Sequence, residues 1–494
     1  KSLVLRRAGA GDEPRYTMLV TVQAYAAERL AESGESHALK NRHAAHYLAW
    51  AEEVRPQLLG ATPELPLTQL ELEHDNLRAV LQWSLDNNVE AGGGLGDALW
   101  RFWQAHNHHT EGRRWLDKLL AKNDAVTINR VKALSASGNL AFDQGDFRRS
   151  ITLHEESLTF CRQLGDQYWE SIGLNNLAIG WLSLGNYEKA MRYLEEGLTL
   201  AREVGHTTNV GHTLNNLGVL SLRQGNYQQA RRYLEESLST FRKQADKRAT
   251  CLPLGNLGEV AGYRGEYKQA VDLLQEAIRL SEELGDKWLV AHNLHSLGLV
   301  ARDQGHIEQA MSHVQKALKL ITEIENLEGR SKLLNLLAKV ALDSGDETCA
   351  VTLSKESLAL CRQLNNKEGT AAALQNLATV ALRQEDYDCA AERYRQALVL
   401  FSELNHRLDV AVCLEGLAGV ASSLDQAEQA AYLLGAADAL RKLMGAPLPP
   451  VDQPNHERLL MDVQTTLDEE AFAAAWAEGQ TTLLKTAVAY ALEV

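Results

Sequence analysis

The chain has 494 residues, 45% of them hydrophobic, which suits about three ordinary domains or fewer units plus a repeat array. No apolar run approaches the ~20 residues needed to cross a bilayer, and a net charge of −15 excludes the basic face that general nucleic-acid binding requires. Six cysteines (Cys161, Cys251, Cys349, Cys361, Cys389, Cys413) lack CxxC spacing and partly share repeat positions. That pattern reads as small buried hydrophobes in a reducing cytoplasm, not as disulfides or zinc ligands.

The opening Lys1-Ser2-Leu3-Val4 has no initiator Met and no apolar leader, so it reads as the middle of a longer protein. Residues 1–20 alternate apolar and polar side chains around a Gly/Asp/Pro turn, which predicts a β-hairpin. Helices are expected over 19–33, 36–56 and 65–87. The cluster Gly92-Gly93-Gly94 reads as a flexible joint. Trp100-Arg101-Phe102-Trp103 and Glu111-Gly112-Arg113-Arg114-Trp115-Leu116 then read as a degenerate helical repeat over 91–130.

From about 131 to 444 a 40-residue period governs the sequence. Gly145-Asp146-Phe147, Gly185-Asn186-Tyr187, Gly225-Asn226-Tyr227 and Gly265-Glu266-Tyr267 keep strict register, and Gly305, Gly345 and Glu385 continue it. Counting from Ser171 as position 1, position 4 is Leu in seven successive units (Leu174 to Leu414), and so is position 7 (Leu177 to Leu417). Position 8 is always Gly or Ala, and position 20 is Ala from Ala190 to Ala430. Apolar residues at i and i+3 beside a small one mark a helix face packed closely on a neighbour. Gly ends the first helix in a left-handed residue, Asn or Asp caps the second, and the aromatic staples the turn. Each unit is a helix–turn–helix that cannot bury its own stripes, so the units must stack. The predicted fold is an all-α solenoid carrying a short N-terminal hairpin. Pro447, Pro449, Pro450 and Pro454 end the array, and helices over 454–467 and 468–491 form a cap spanning 445–494.

Leu at position 4, Leu-Gly/Ala at 7–8, Ala at 20 and Leu/Tyr near 24 resemble tetratricopeptide repeats of the longer, 40-residue kind, roughly eight of them. The flanks RYTMLVTVQAYAAERL (15–30), RHAAHYLAWAEE (42–53), LELEHDNLRAVLQW (70–83), EGRRWLDKLL (111–120), LLGAADALRKLMGAPLPP (433–450) and EEAFAAAWAEGQ (469–480) resemble the C-terminal half of bacterial STAND-class signalling ATPases, NLR-like proteins often described as large ATP-binding transcriptional regulators. That resemblance implies that residues 1–35 end a winged helix and that 36–90 are a coupling linker. It also implies a sensor arm controlling an ATPase module that lies upstream and holds ATP and Mg. The rival expectation is a free-standing scaffold for protein–protein contacts.

Chemistry is absent from the motif search. GxxxxGK[ST], HExxH, GxSxG and CxxC do not occur, so no catalytic residue, metal or cofactor is assigned to these residues. His106, His108 and His109 fall in a turn without a Cys or acidic ligand at fixed spacing, and the structural reading is preferred. His43 and His46 read as ordinary helix histidines. Glu195-Glu196 and Glu235-Glu236 recur in phase, which marks a solvated outer face. Position-6 asparagines (Asn176, Asn216, Asn256, Asn376) read as internal hydrogen-bonding groups.

The resemblance also implies that positions 2, 5, 9, 12 and 13 line the inside of the superhelix. The candidate ligand-binding residues are Asn175, His212, Asn215, Arg223, Glu259, Tyr263, His292, His295, Arg302, Asp303, Lys332, Asn335, Lys339, Gln375 and Arg383. Five bases (Arg223, Arg302, Lys332, Lys339, Arg383) against three acids (Glu259, Asp303, Asp343) predict a groove more positive than the outside. An acidic peptide, a protein segment or a phosphorylated metabolite would suit it. Neither direct nucleic-acid nor membrane binding is expected.

Overall fold

Alternation at the N-terminus produces the expected hairpin: strands Val4–Ala8 and Pro14–Met18 pair antiparallel, with Val4 opposite Met18 and Ala8 opposite Pro14. The computed structural model describes residues 4–8, 14–59, 64–122 and 124–494. The hairpin's turn therefore lies outside the described residues. Within them the remaining regular structure is helical. No described helix is long and apolar enough to cross a membrane. Two compact units emerge, Lys1–Gly180 with Thr199–Val204, and Trp181–Leu198 with Gly205–Val494.

The first unit contains helices Val20–Ser33, Ser36–Val54, Glu64–Leu72, His74–Asn87, Val89–Ala105 and His109–Lys122, followed by the first repeat helices Ile128–Asp143 and Phe147–Leu164. The expected helix over 65–87 is broken at Glu73. Leu77, Leu81, Leu99, Phe102, Trp103 and Leu116 are buried together. The glycine cluster is not a joint. Gly92–Gly94 lie inside helix Val89–Ala105, and a Cβ on Gly92 would fall 2.5 Å from Leu119 Cδ2 and one on Gly93 2.9 Å from the Asn129 carbonyl oxygen. Missing side chains here permit close helix packing instead of flexibility.

In the second unit the period becomes paired 17-residue helices, such as Lys247–Tyr263 with Tyr267–Glu283 and Lys287–Asp303 with Ile307–Glu323. The position-20 alanines from Ala190 to Ala430 are all 0% exposed. The turn chemistry is as the motif requires: Gly185, Gly225, Gly265, Gly305 and Gly345 have φ between 73 and 84°. Asp346 and Asp386 accept from the N–H groups of Cys349 and Cys389. A second set of turns recurs half a period away, where Asp246, Asp286, Asn326 and Asn366 cap the next unit's first helix. Two of the position-6 asparagines bond between successive first helices: Asn256 Nδ2 donates to Asn215 Oδ1 at 2.9 Å and Asn376 Nδ2 to the Asn335 carbonyl at 3.0 Å. Four cysteines (161, 251, 361, 413) are buried and all six are free thiols.

Beyond the last repeat, helices Gln453–Thr466, Glu469–Thr481 and Leu484–Ala491 replace the two expected. Gly435 and Gly479 let helix Ala427–Met444 cross Glu469–Thr481 at backbone contact. The second unit also curls back on itself. Tyr187 Oη hydrogen-bonds His406 Nε2, Arg407 Nη1 donates to Asn226 Oδ1 at 3.4 Å, and the Val451 N–H donates to the Asp303 carbonyl at 3.3 Å. One rim of the expected groove is thus covered by the last repeat and the proline-rich segment.

Candidate functional site

The inner helices of the second unit split the expected groove residues into two groups. One group holds the fold together. Arg302 is 2% exposed: its Nε donates to Asp343 Oδ2 at 2.6 Å, its Nη1 to Asp303 Oδ1 and Asp452 Oδ2 at 3.0 Å, and its Nη2 to Asp452 Oδ1 at 2.5 Å. Arg302 and Asp303 are therefore not ligand-facing. The proline-rich segment delivers Asp452 onto them, and repeat phase alone does not reveal that closure. Buried Asn215 and Asn335 bond neighbouring first helices, with Asn335 Nδ2 donating to the Gly369 carbonyl at 3.0 Å. Gln375 is buried against Cys413 Sγ at 3.5 Å. His212 packs against Phe241 with the rings tilted and their centres 4.9 Å apart, while exposed Arg383 donates to the Leu342 carbonyl at 2.6 Å. Asn175 is buried and belongs to the other unit.

The second group is Arg223, Glu259, Tyr263, His292, His295, Lys332 and Lys339, all half-buried on first helices. Tyr263 stacks on Tyr227 at 5.6 Å and its hydroxyl donates to Glu259 Oε1 at 3.4 Å. Arg223 pairs with Glu368, and Lys332 Nζ donates to Glu328 Oε1 at 2.7 Å. His406 brings Asp409 Oδ2 to 3.4 Å from its Nδ1. Burial, helped by Lys332 and Arg223, pushes His292 down to about 4; burial with His292, Lys332 and Arg223 pushes His295 down to about 3. Both rings are neutral at neutral pH. Burial, then Glu259, Tyr227 and Asp409, drive the Tyr263 phenol well above its ordinary value.

These contacts remove the positive excess expected of the groove. Arg302 leaves the inner surface with Asp303 and Asp343, while Glu328, Glu368 and Asp409 enter it. Lining it are four cations (Arg223, Lys332, Lys339, Arg383) against four carboxylates (Glu259, Glu328, Glu368, Asp409), with aromatic rings between. The three added acids sit in the first turn of their helices, at positions −2 and −1, ahead of the positions read from the repeat. Their phase was readable: Glu328 and Glu368 share one repeat position. Such a surface can hydrogen-bond backbone amides, stack side chains and match alternating charge. Burial drives the Cys413 thiol well above its ordinary value, which keeps it un-ionised and a poor nucleophile.

A family model described as tetratricopeptide repeat matches residues 129–203, 209–283, 250–323 and 329–403, together just over half of the chain. Proteins of Mycobacterium tuberculosis and Mycobacterium bovis named as HTH-type transcriptional regulators are 30% identical over 176 residues, which is 34% of this chain and 20% of theirs. The chain thus matches a fifth of the length of these curated relatives. Among solved structures, a Rap protein complexed with Competence and Sporulation Factor superposes with a TM-score of 0.55 at 15% identity, covering 73% of this chain and 98% of that one. A Rap conjugation gene regulator in complex with a Phr peptide gives 0.50 at 15%, covering 71% and 95%. At that identity the likeness shows the fold.

Proposed function

The chain belongs to the tetratricopeptide repeat family, and on that footing we propose that its second unit is a non-catalytic receptor for an extended peptide or protein segment. One observation carries this reading: half-buried polar and aromatic side chains of both charge signs line the inner helices at positions that packing does not require. Arg223 and Lys332 already have acidic partners, so a mixed-charge peptide, which can exchange partners along its length, suits the surface better than a phosphorylated metabolite. The two Rap structures, solved with Competence and Sporulation Factor and with a Phr peptide, support a peptide occupant.

The resemblance of the flanks to STAND-class ATPases, together with relatives named as transcriptional regulators, supports a wider role. In it the unit is the sensor arm of a bacterial, cytoplasmic signalling protein, and peptide binding biases an upstream ATP- and Mg-binding module through residues 1–90. Such control requires the peptide to prefer one state of that module over the other. To test the receptor reading, display a random peptide library against the chain and compare Lys332→Glu and Tyr263→Ala. The reading expects peptides that lose at least tenfold in affinity on both variants. Selected peptides indifferent to both would refute it. A free-standing scaffold would show the same binding but no effect on nucleotide turnover in the longer protein.

A further inference from the structure

A second site lies in the first unit. The turn joining helices Val89–Ala105 and His109–Lys122 carries His106 and His108, separated by Asn107 in the left-handed region at φ 58°. Their rings stand 6.1 Å apart and 15° from parallel. Both lean on one carboxylate: His106 Nδ1 lies 3.4 Å and His108 Nε2 3.2 Å from Glu71 Oε2. From the protein side comes His74, the first residue of helix His74–Asn87, with its ring centre 4.7 Å from that of His108. His74 is only 6% exposed, and its buried Nε2 has no hydrogen-bond partner, with Glu111 Oε1 standing off at 3.6 Å. One ligand atom from each of Glu71, His74 and His108 falls within 4.8 Å of the other two.

We propose that Glu71, His74 and His108 bind a divalent transition-metal ion of the zinc type, with His106 beside them to complete or support the coordination. Zinc takes imidazole and carboxylate ligands at about 2.0–2.1 Å in tetrahedral geometry, which places ligand atoms roughly 3.3 Å apart. The Glu71–His108 separation of 3.2 Å already matches that edge. A modest swing of the His74 ring closes the third corner. An ordinary ion pair accounts for Glu71 with His108, but it leaves the buried His74 nitrogen unexplained, and buried polar atoms are normally satisfied. Nearby Arg78 is committed elsewhere: its Nε and Nη2 donate to Glu111 at 2.6 and 2.7 Å, and its Nη1 to Asp75 at 3.0 Å. His109 is not part of the set, its Nε2 lying 4.0 Å from Asp143 instead. The ligands come from three separate elements, so an ion would clip the break at Glu73 to the 106–108 turn. Spacing along the chain conceals this, because Glu71 and His74 lie over thirty residues upstream of the turn.

The test uses the intact chain, stripped with EDTA and titrated with zinc alone and with cobalt alone. One equivalent of zinc should bind, and affinity should fall at least tenfold in Glu71→Gln and in His108→Ala, while His313→Ala, in the second unit, leaves it unchanged. Cobalt should give ligand-field bands without a thiolate charge-transfer band, which separates this site from the cysteines. If His108→Ala fails to fold, Glu71→Gln, at a half-exposed carboxylate, decides alone. Absence of binding, binding retained by Glu71→Gln, or a thiolate band would each overturn the proposal.

Discussion

Replacing Arg302 with Met removes the guanidinium and leaves Asp303, Asp343 and Asp452 facing one another. Side-chain exposures of 9%, 12% and 33% keep these carboxylates largely out of water. Deleting one partner of a buried charge cluster costs roughly 3–5 kcal/mol. That cost should appear where Asp452 docks, as local opening of the proline-rich segment and helix Gln453–Thr466. Native-state hydrogen exchange there should quicken by about a hundred- to several-thousand-fold, with the early repeats unaffected. The pH dependence has a definite sign. Burial raises Asp452, but Arg302 and Lys339 outweigh it and hold the carboxyl low, so its stabilisation is present above the ordinary carboxylate value and lost as pH falls through the lowered one. Burial holds Asp303 high despite Arg302 and Lys339, so it contributes with the opposite sign. Without Arg302 the Asp303 and Asp452 carboxyls should rise, and acidification from pH 7 towards 5 should recover part of the loss in the variant alone. A cost under about 1 kcal/mol, or faster exchange spread over the whole array, would refute the assignment of Arg302 to structure.

His154 is 2% exposed and burial alone pushes it down to about 4. The native state therefore binds fewer protons than the unfolded chain between the ordinary value of 6.5 and about 4. The His154 share of the stability should be full above 6.5 and fall by about 1.4 kcal/mol per pH unit below it, so denaturant titrations of His154→Leu should find a slope shallower by that amount, with the share of His292 and His295 retained. Gly479→Ala drives a Cβ into the Tyr432 carbonyl of the crossing helix, where backbone cannot yield. We expect a loss of roughly 1–3 kcal/mol, read as faster exchange in helices Ala427–Met444 and Glu469–Thr481. If the proposed sensor-arm role holds, deleting residues 131–444 should make nucleotide turnover by the proposed upstream module indifferent to peptide, and retained peptide dependence would contradict that role.

Repeat architecture was legible because its determinants are local and recur: the glycines at φ near 75°, the capping acids and the wholly buried alanines each report on one turn or one helix face. The candidate site was legible only in part, because it depends on which distant segments meet. Arg302 occupies an inward phase, yet a segment 150 residues later covers it. Glu328 and Glu368 lie outside the positions taken as inward, and with Asp409 they cancel the expected positive excess. Gly92–Gly94 show the same limit, since a glycine run looks alike whether it serves freedom or close approach, and only the neighbours, Leu119 and Asn129, tell which. His74 joined the histidine turn by the packing of separate helices, which no spacing rule encodes.

Hydrogen exchange of the intact chain with and without a selected peptide tests the receptor claim most directly. Protection is predicted in the first helices Lys247–Tyr263, Lys287–Asp303 and Leu327–Asp343, and it should vanish in Lys332→Glu. Protection confined to the outer second helices, or spread equally over both, would contradict the account.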